Sequence, residues 1–152
     1  MILPLTIAYA AAIAVDLRPQ DRAEIIAAEG GISDWGTWGK RQAQLDGPSY
    51  VGILDGQPFV TGGFCQVAGP SDVCAVWMVA TDRINTVRGS RIAARLVASG
   101  HRKASQRFKV AVACSDMANV DGMRMLLRLG YRPAGKSVNL NGHDFVQMRA
   151  DL

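Results

Sequence analysis

Arg88, Arg91 and Arg95 stand three and four residues apart, a spacing that sets three guanidinium groups along one edge of a helix's first two turns. Guanidinium groups so arranged clamp phosphate oxygens bidentately. Continued by Arg102, the same residues read equally as a solvated basic face. The other titratable residues suggest less chemistry. Asp72 and Asp82 bracket the apolar run Val73–Ala80 and read as turn or cap residues, and His143 sits beside the turn dipeptide Asn141-Gly142. His101 lies far along the arginine helix. Cys65, Cys74 and Cys114 fall in apolar, strand-like runs without metal-ligand spacing, so no metal site and a reducing cytoplasm are expected.

The elements that must carry these residues follow from apolar periodicity and stop signals. Residues 1–12 read as a hydrophobic N-terminal extension and 13–18 as a first strand, beginning a single domain over 13–152. Pro19 and Asp21 open a helix over 19–28, and Ser33-Asp34 cap a second over 35–45, which Gly36 and Gly39 weaken by roughly 1 kcal/mol each. Asp55-Gly56 joins strands 50–54 and 58–65 in a tight hairpin. Val73–Ala80 is apolar throughout, as a central strand covered on both faces should be. A helix over 87–107 follows, with Ile92, Leu96, Gly100 and Phe108 facing the core, then a strand over 109–114. A helix over 117–129 places Val120, Met123 and Leu127 on one face. Gly130 ends it in left-handed geometry, Tyr131 re-enters the core, and two strands meet at Asn141-Gly142.

Composition limits the function classes. At 152 residues, 49% hydrophobic and 20% charged, the chain matches one globular domain rather than a disordered tail or a coiled coil. Its 17 Lys plus Arg against 13 Asp plus Glu favour a phosphate-bearing small ligand and fall short of a dedicated, specific nucleic-acid binder. The apolar start lacks a preceding Lys or Arg, is broken by Pro4 and is shorter than the roughly 18 residues a membrane span needs.

The run from Asn119 through Gly122 and Leu126 to Gly130-Tyr131 resembles the last motif of the GNAT superfamily of acyl-CoA-dependent N-acyltransferases. That motif has Asn, a small residue three on, Tyr seven on, then Gly-Phe or Gly-Tyr. The element order is also similar, which implies an α/β (α+β) GNAT-like fold: a mixed, mostly antiparallel sheet of six or seven strands flanked by about four helices. In the family a glycine-rich turn after the central strand binds the pyrophosphate of CoA through free N–H groups and the helix's positive end. Here only Gly89 fits the glycine pattern, with Thr86 and Arg91 replacing the outer residues. The resemblance therefore implies acetyl-CoA as co-substrate. Backbone groups of Met78 and Val79 would hold its pantetheine arm, and Arg88, Gly89, Ser90, Arg91 and Asn119 would complete the binding set.

Leu126 departs from the family's phenol, the usual proton donor to the leaving thiolate, and leaves Ser115, Tyr131 or water for that role. No Glu lies on or beside the central strand to act as base, so the catalytic residues are unknown at this stage. Trp35 and Trp38 fall where the family's first two helices line the acceptor pocket, or else simply pack on the sheet. The Trp-containing strand with Val79-Ala-Thr-Asp82, the basic helix and Asn119 with Leu126 further resemble the GNAT-like internal virion proteins of short-tailed bacteriophages. Two readings follow. One is an N-acetyltransferase with degenerate motifs acting on a protein or small-molecule amine. The other is a non-catalytic GNAT-fold phage protein, located in the virion or the host cytoplasm, that binds a partner protein. Homo-oligomerisation stays open.

Overall fold

The computed structural model describes Met1–Leu152 throughout. Its first elements differ from expectation. Strand β1 (Ile2–Pro4) pairs antiparallel with residues 50–52, and helix α1 (Ile7–Val15) occupies most of the segment read as an extension followed by a strand. Periodicity does not separate a buried helix from a buried strand in an all-apolar run, and five alanines between Ala8 and Ala14 tip the local preference to helix. Thr6 caps α1 by accepting from the Tyr9 N–H.

Helix α2 (Pro19–Glu29) starts on Pro19 and stops at Gly30, whose φ is 79°. Helix α3 (Trp35–Gln42) is capped by Asp34, which accepts from the Thr37 N–H and hydroxyl. Gly39 matters for packing more than for helix propensity. A Cβ there would lie 2.5 Å from the Ala10 carbonyl oxygen and 2.6 Å from the Ala14 Cβ, so the glycine permits the close crossing of α1 and α3.

Asp55 and Gly56, both at positive φ, form the expected turn between β2 (Ser49–Leu54) and β3 (Gln57–Gln66). The chain continues through β4 (Val73–Ala80), a 3-10 turn (Asp82–Asn85), α4 (Val87–Ala104), β5 (Val110–Asp116), α5 (Val120–Arg128), β6 (Arg132–Pro133), β7 (Val138–Leu140) and β8 (His143–Asp151). All eight strands form one sheet in the order β1-β2-β3-β4-β5-β8-β6, with β7 also on β8. The pair β4–β5 is parallel and every other pair antiparallel. The expected mixed α/β architecture is present, with two short strands, β6 and β7, where one was expected.

Apolar side chains fill both faces of the sheet. Ile13, Leu17 and Trp38 pack with Val51 and Ile53 on the α1–α3 side. On the other side Ala93 and Leu96 of α4 pack with Phe59 and Val60, while Phe108, Tyr131 and Met148 form a third cluster against which α5 lies. The core face of α5 is Met123, Leu126 and Leu129; Val120 and Leu127, expected to join Met123, are exposed. Gly130, at φ 92°, ends the helix as expected, and Tyr131 is fully buried.

Gly39→Ala forces the α1–α3 crossing apart and should lower unfolding stability by about 1–3 kcal/mol, the usual range for overpacking a close contact. Thermal or urea unfolding of the variant measures this, and an unchanged midpoint contradicts the role given to Gly39.

Candidate functional site

Strands β4 and β5 are paired only at Val73–Val110, Cys74–Ala111 and Ala75–Val112, yet β4 runs on to Ala80 and β5 to Asp116. Beyond Ala75 they part. The Ala80 N–H donates to Asp21 and its carbonyl accepts from the Arg18 N–H, so both groups point away from β3. Strand alternation turns the N–H and C=O of Met78, two residues back, the same way, into a gap from which β5 has already diverged. On the facing edge the Asp116 N–H also points inward and donates to Glu24 at 2.9 Å.

Helix α2 thus lays two carboxylates across the mouth of the gap, one on each strand end. Asp21 and Glu24 are three residues apart and share a helix face. Arg18 holds Asp21 through Nε and Nη2, at 3.2 and 2.6 Å, in a buried ion pair. Glu24 also accepts from Asn119 Nδ2 at 2.5 Å, while Asn119 Oδ1 caps α5 by accepting from the Gly122 N–H. Burial pushes the Glu24 carboxyl above its ordinary range, and the neighbouring Asp21 charge pushes the same way, against the opposing pull of hydrogen bonds from Asn119, Asp116 and Ser115. A desolvated carboxylate so held is suited to accept a proton.

The gap opens to a cavity on each face of the sheet, and Trp77, Met78, Cys114, Asp21 and Glu24 border both. On the α4–α5 side the cavity is about 120 Å³, lined by Val97, Gly100, Met125, Leu126 and Leu129. His101 and Tyr131 also face it and share a 2.7 Å hydrogen bond between Nε2 and the phenol oxygen. Burial lowers the His101 pKa and drives that of Tyr131 upward, so both stay neutral. On the α2–α3 side the cavity is about 720 Å³, walled by Trp38, Glu29, Lys136, Phe145 and Gln147. Trp38 donates from Nε1 to Glu29 at 2.8 Å, so its ring is both core and wall.

No family model and no curated protein matches the sequence. Solved structures do match over essentially the whole chain. A ribosomal-protein-alanine N-acetyltransferase from Brucella melitensis aligns with TM-score 0.68 at 14% identity, covering 100% of this chain and 99% of that one. An acetyltransferase-type protein from Salmonella typhimurium, solved with its cofactor acetyl-CoA, aligns with TM-score 0.68 at 15% identity over 99% and 92%. Aminoglycoside 6'-acetyltransferase type Ii aligns with TM-score 0.70 at 13% identity over 99% and 96%. The chain has the GNAT fold. At these identities the likeness is one of fold.

Within the GNAT fold the residues singled out from sequence divide into two groups. Met78 and Asn119 meet at the gap, and Val79 lines the larger cavity, though its position opposite Thr61 turns its backbone groups toward β3. Arg88, Gly89, Ser90 and Arg91 line neither cavity; they form the start of α4, beside the β2–β3 turn, where Arg88 pairs with Asp55 at 3.1 Å. The Gly89 N–H is taken by Thr86 Oγ1, and a Cβ on Gly89 would lie 2.1 Å from the Arg83 carbonyl oxygen. That glycine therefore serves the tight entry into α4. The first-turn amides of Val87 and Arg88 have no hydrogen-bond partner within the chain.

His101 borders the smaller cavity, where its position along α4 had suggested too great a distance. His143 pairs with the buried Asp116 at 2.5 Å, close to the strand end that Glu24 satisfies. Glu24 is the residue that sequence reasoning missed. It lies about fifty residues before the central strand, and the only signal was its i, i+3 spacing from Asp21 on a helix to which the sequence assigned no chemistry.

Asn119→Ala removes a helix cap and one hydrogen bond that favours ionised Glu24. It should cost about 1–2 kcal/mol of stability and move the Glu24 titration to still higher pH. Carboxyl-carbon NMR titration reads the second effect, and an unmoved Glu24 would show that Asn119 does not tune it.

Proposed function

We propose that this chain is a GNAT-type N-acyltransferase that takes acetyl-CoA on the α4–α5 side of the gap and an amine, on a protein or a small molecule, from the α2–α3 side. The reading rests above all on the parting of β4 and β5, which leaves the Met78 backbone groups and the Glu24 carboxylate facing one opening reached from both faces. Acetyl-CoA supplies the acyl group as an activated thioester. Met78 N–H and C=O extend the sheet edge to an amide-bearing arm, as an added strand would. Arg88, Arg91 and the free amides at the start of α4 attract phosphates, with Ser90 in the same turn.

Glu24 takes the proton that the amine loses as the N–C bond forms and the C–S bond breaks. Leu126 has no proton to give. Tyr131, its pKa driven upward, gives up its proton reluctantly, and its phenol is already engaged by His101. The thiolate therefore leaves without a strong acid beside it, which places the chemical burden on position and on Glu24.

Leu126 and the narrowness of the 120 Å³ cavity favour a second reading, a non-catalytic GNAT-fold module such as a virion or host-interaction protein. Calorimetric titration with acetyl-CoA separates the two: the enzyme binds, whereas absence of heat at millimolar ligand supports the module. Arg88→Glu with Arg91→Glu should weaken acetyl-CoA at least about tenfold. Glu24→Gln should leave that affinity within about threefold while removing transfer, since only interactions made in the transition state are lost. Because Glu24 must be ionised and its pKa is raised, kcat/KM should fall on the acid side at a pH above the ordinary carboxylate range. A limb at or below that range assigns the base elsewhere.

A further inference from the structure

Charge is sharply segregated along this chain. Residues 1–82 carry 4 Lys plus Arg and 9 Asp plus Glu, and residues 83–152 carry 13 and 4. A modest net charge of +4 therefore conceals halves of −5 and +9. The second half supplies α4 and α5, which lie on the same face of the sheet and line one cavity between them. On α4, Arg88, Arg91, Arg95 and Arg102 follow steps of three, four and seven and form one stripe on the side away from the sheet. On α5, Arg124 and Arg128 stand four apart, also outside.

Arg91, Arg95, Arg102, Arg124 and Arg128 are all exposed, and none has a carboxylate within salt-bridge distance. Such a surface calls for an external polyanion. Ala94 and Ala98 are the exposed neighbours within the α4 stripe. They let a backbone come close, and although Val87 and Leu127 are exposed beside the arginines, no Trp or Tyr, the aromatic anchors typical of protein–protein interfaces, stands among them. At about 1.5 Å rise per residue, Arg91, Arg95 and Arg102 succeed one another at about 6 and 10 Å. Those intervals suit the repeated charge of a phosphodiester chain.

We propose that the outer face of α4 and α5 is a sequence-independent nucleic-acid surface that engages backbone phosphates through Arg91, Arg95, Arg102, Arg124 and Arg128. It reads no base edges, because contacts to phosphates position a duplex without carrying sequence information. It shares Arg91 with the acyltransferase reading but does not rest on that reading, and it stands if acetyl-CoA fails to bind.

Fluorescence anisotropy with a labelled, mixed-sequence DNA duplex of about 20 base pairs tests it. Affinity should fall roughly 10²-fold between about 50 and 200 mM salt, the slope expected for four or five neutralised phosphates. A second duplex of unrelated sequence should bind within about twofold. Arg95→Glu with Arg124→Glu should weaken binding at least about tenfold and flatten the salt slope. Lys40→Glu with Arg41→Glu, which carries the same net charge but lies on α3, should stay within about twofold of the unaltered protein. Equal loss in both double variants would reduce the effect to net charge and overturn the assignment. So would an acidic peptide of matched charge binding as tightly as the duplex, or no binding at the lower salt.

Discussion

Two parallel strands that part must satisfy their facing backbone groups by some other means, and this requirement organises the molecule. Past Ala75 and Val112 the β4–β5 ladder ends, and an unpaired buried backbone donor costs about as much as a lost hydrogen bond. Asp21 and Glu24 of α2 answer the requirement at Ala80 and Asp116. Helix α2 is thereby tied to both central strands, and the carboxylates that complete the strand ends are also the charged groups of the gap. Met78 lies short of both, so its edge is open to a ligand.

The pair is asymmetric in a way that suits division of labour. Asp21 is locked by Arg18 and serves structure. Glu24 has only neutral donors for partners, and burial holds its carboxyl above the usual range. Two acids three residues apart thus sit in different electrostatic surroundings, one neutralised by a cation and one poised to exchange a proton.

Elements defined by turn chemistry and by alternation were legible in the sequence. Asp55-Gly56 and Asn141-Gly142 carry positive φ as their residue types require, and Gly130 ends α5 as expected. Two kinds of reading failed. From Ile7 to Val15 a continuous apolar run carries no period, so helix and strand look alike until alanine content is weighed. On α5, counting steps from Val120 chose a face one residue out of phase with the core, because Val120 lies at the helix's exposed first turn. At the gap, local motifs had named Met78 and Asn119, and the structure places both on its border. Glu24 was invisible because its role arises from where α2 crosses a gap that two distant strands create, a relation no local spacing encodes.

Asn141, at the tip of the β7–β8 hairpin, donates from Nδ2 to the Ala27 carbonyl at 2.7 Å, joining the hairpin to the helix that bears Glu24. Val138, Leu140 and Phe145 of that hairpin wall the larger cavity. One helix therefore both presents the Glu24 carboxylate and anchors the wall opposite it, so the width of the larger cavity and the placement of that carboxylate share a single support.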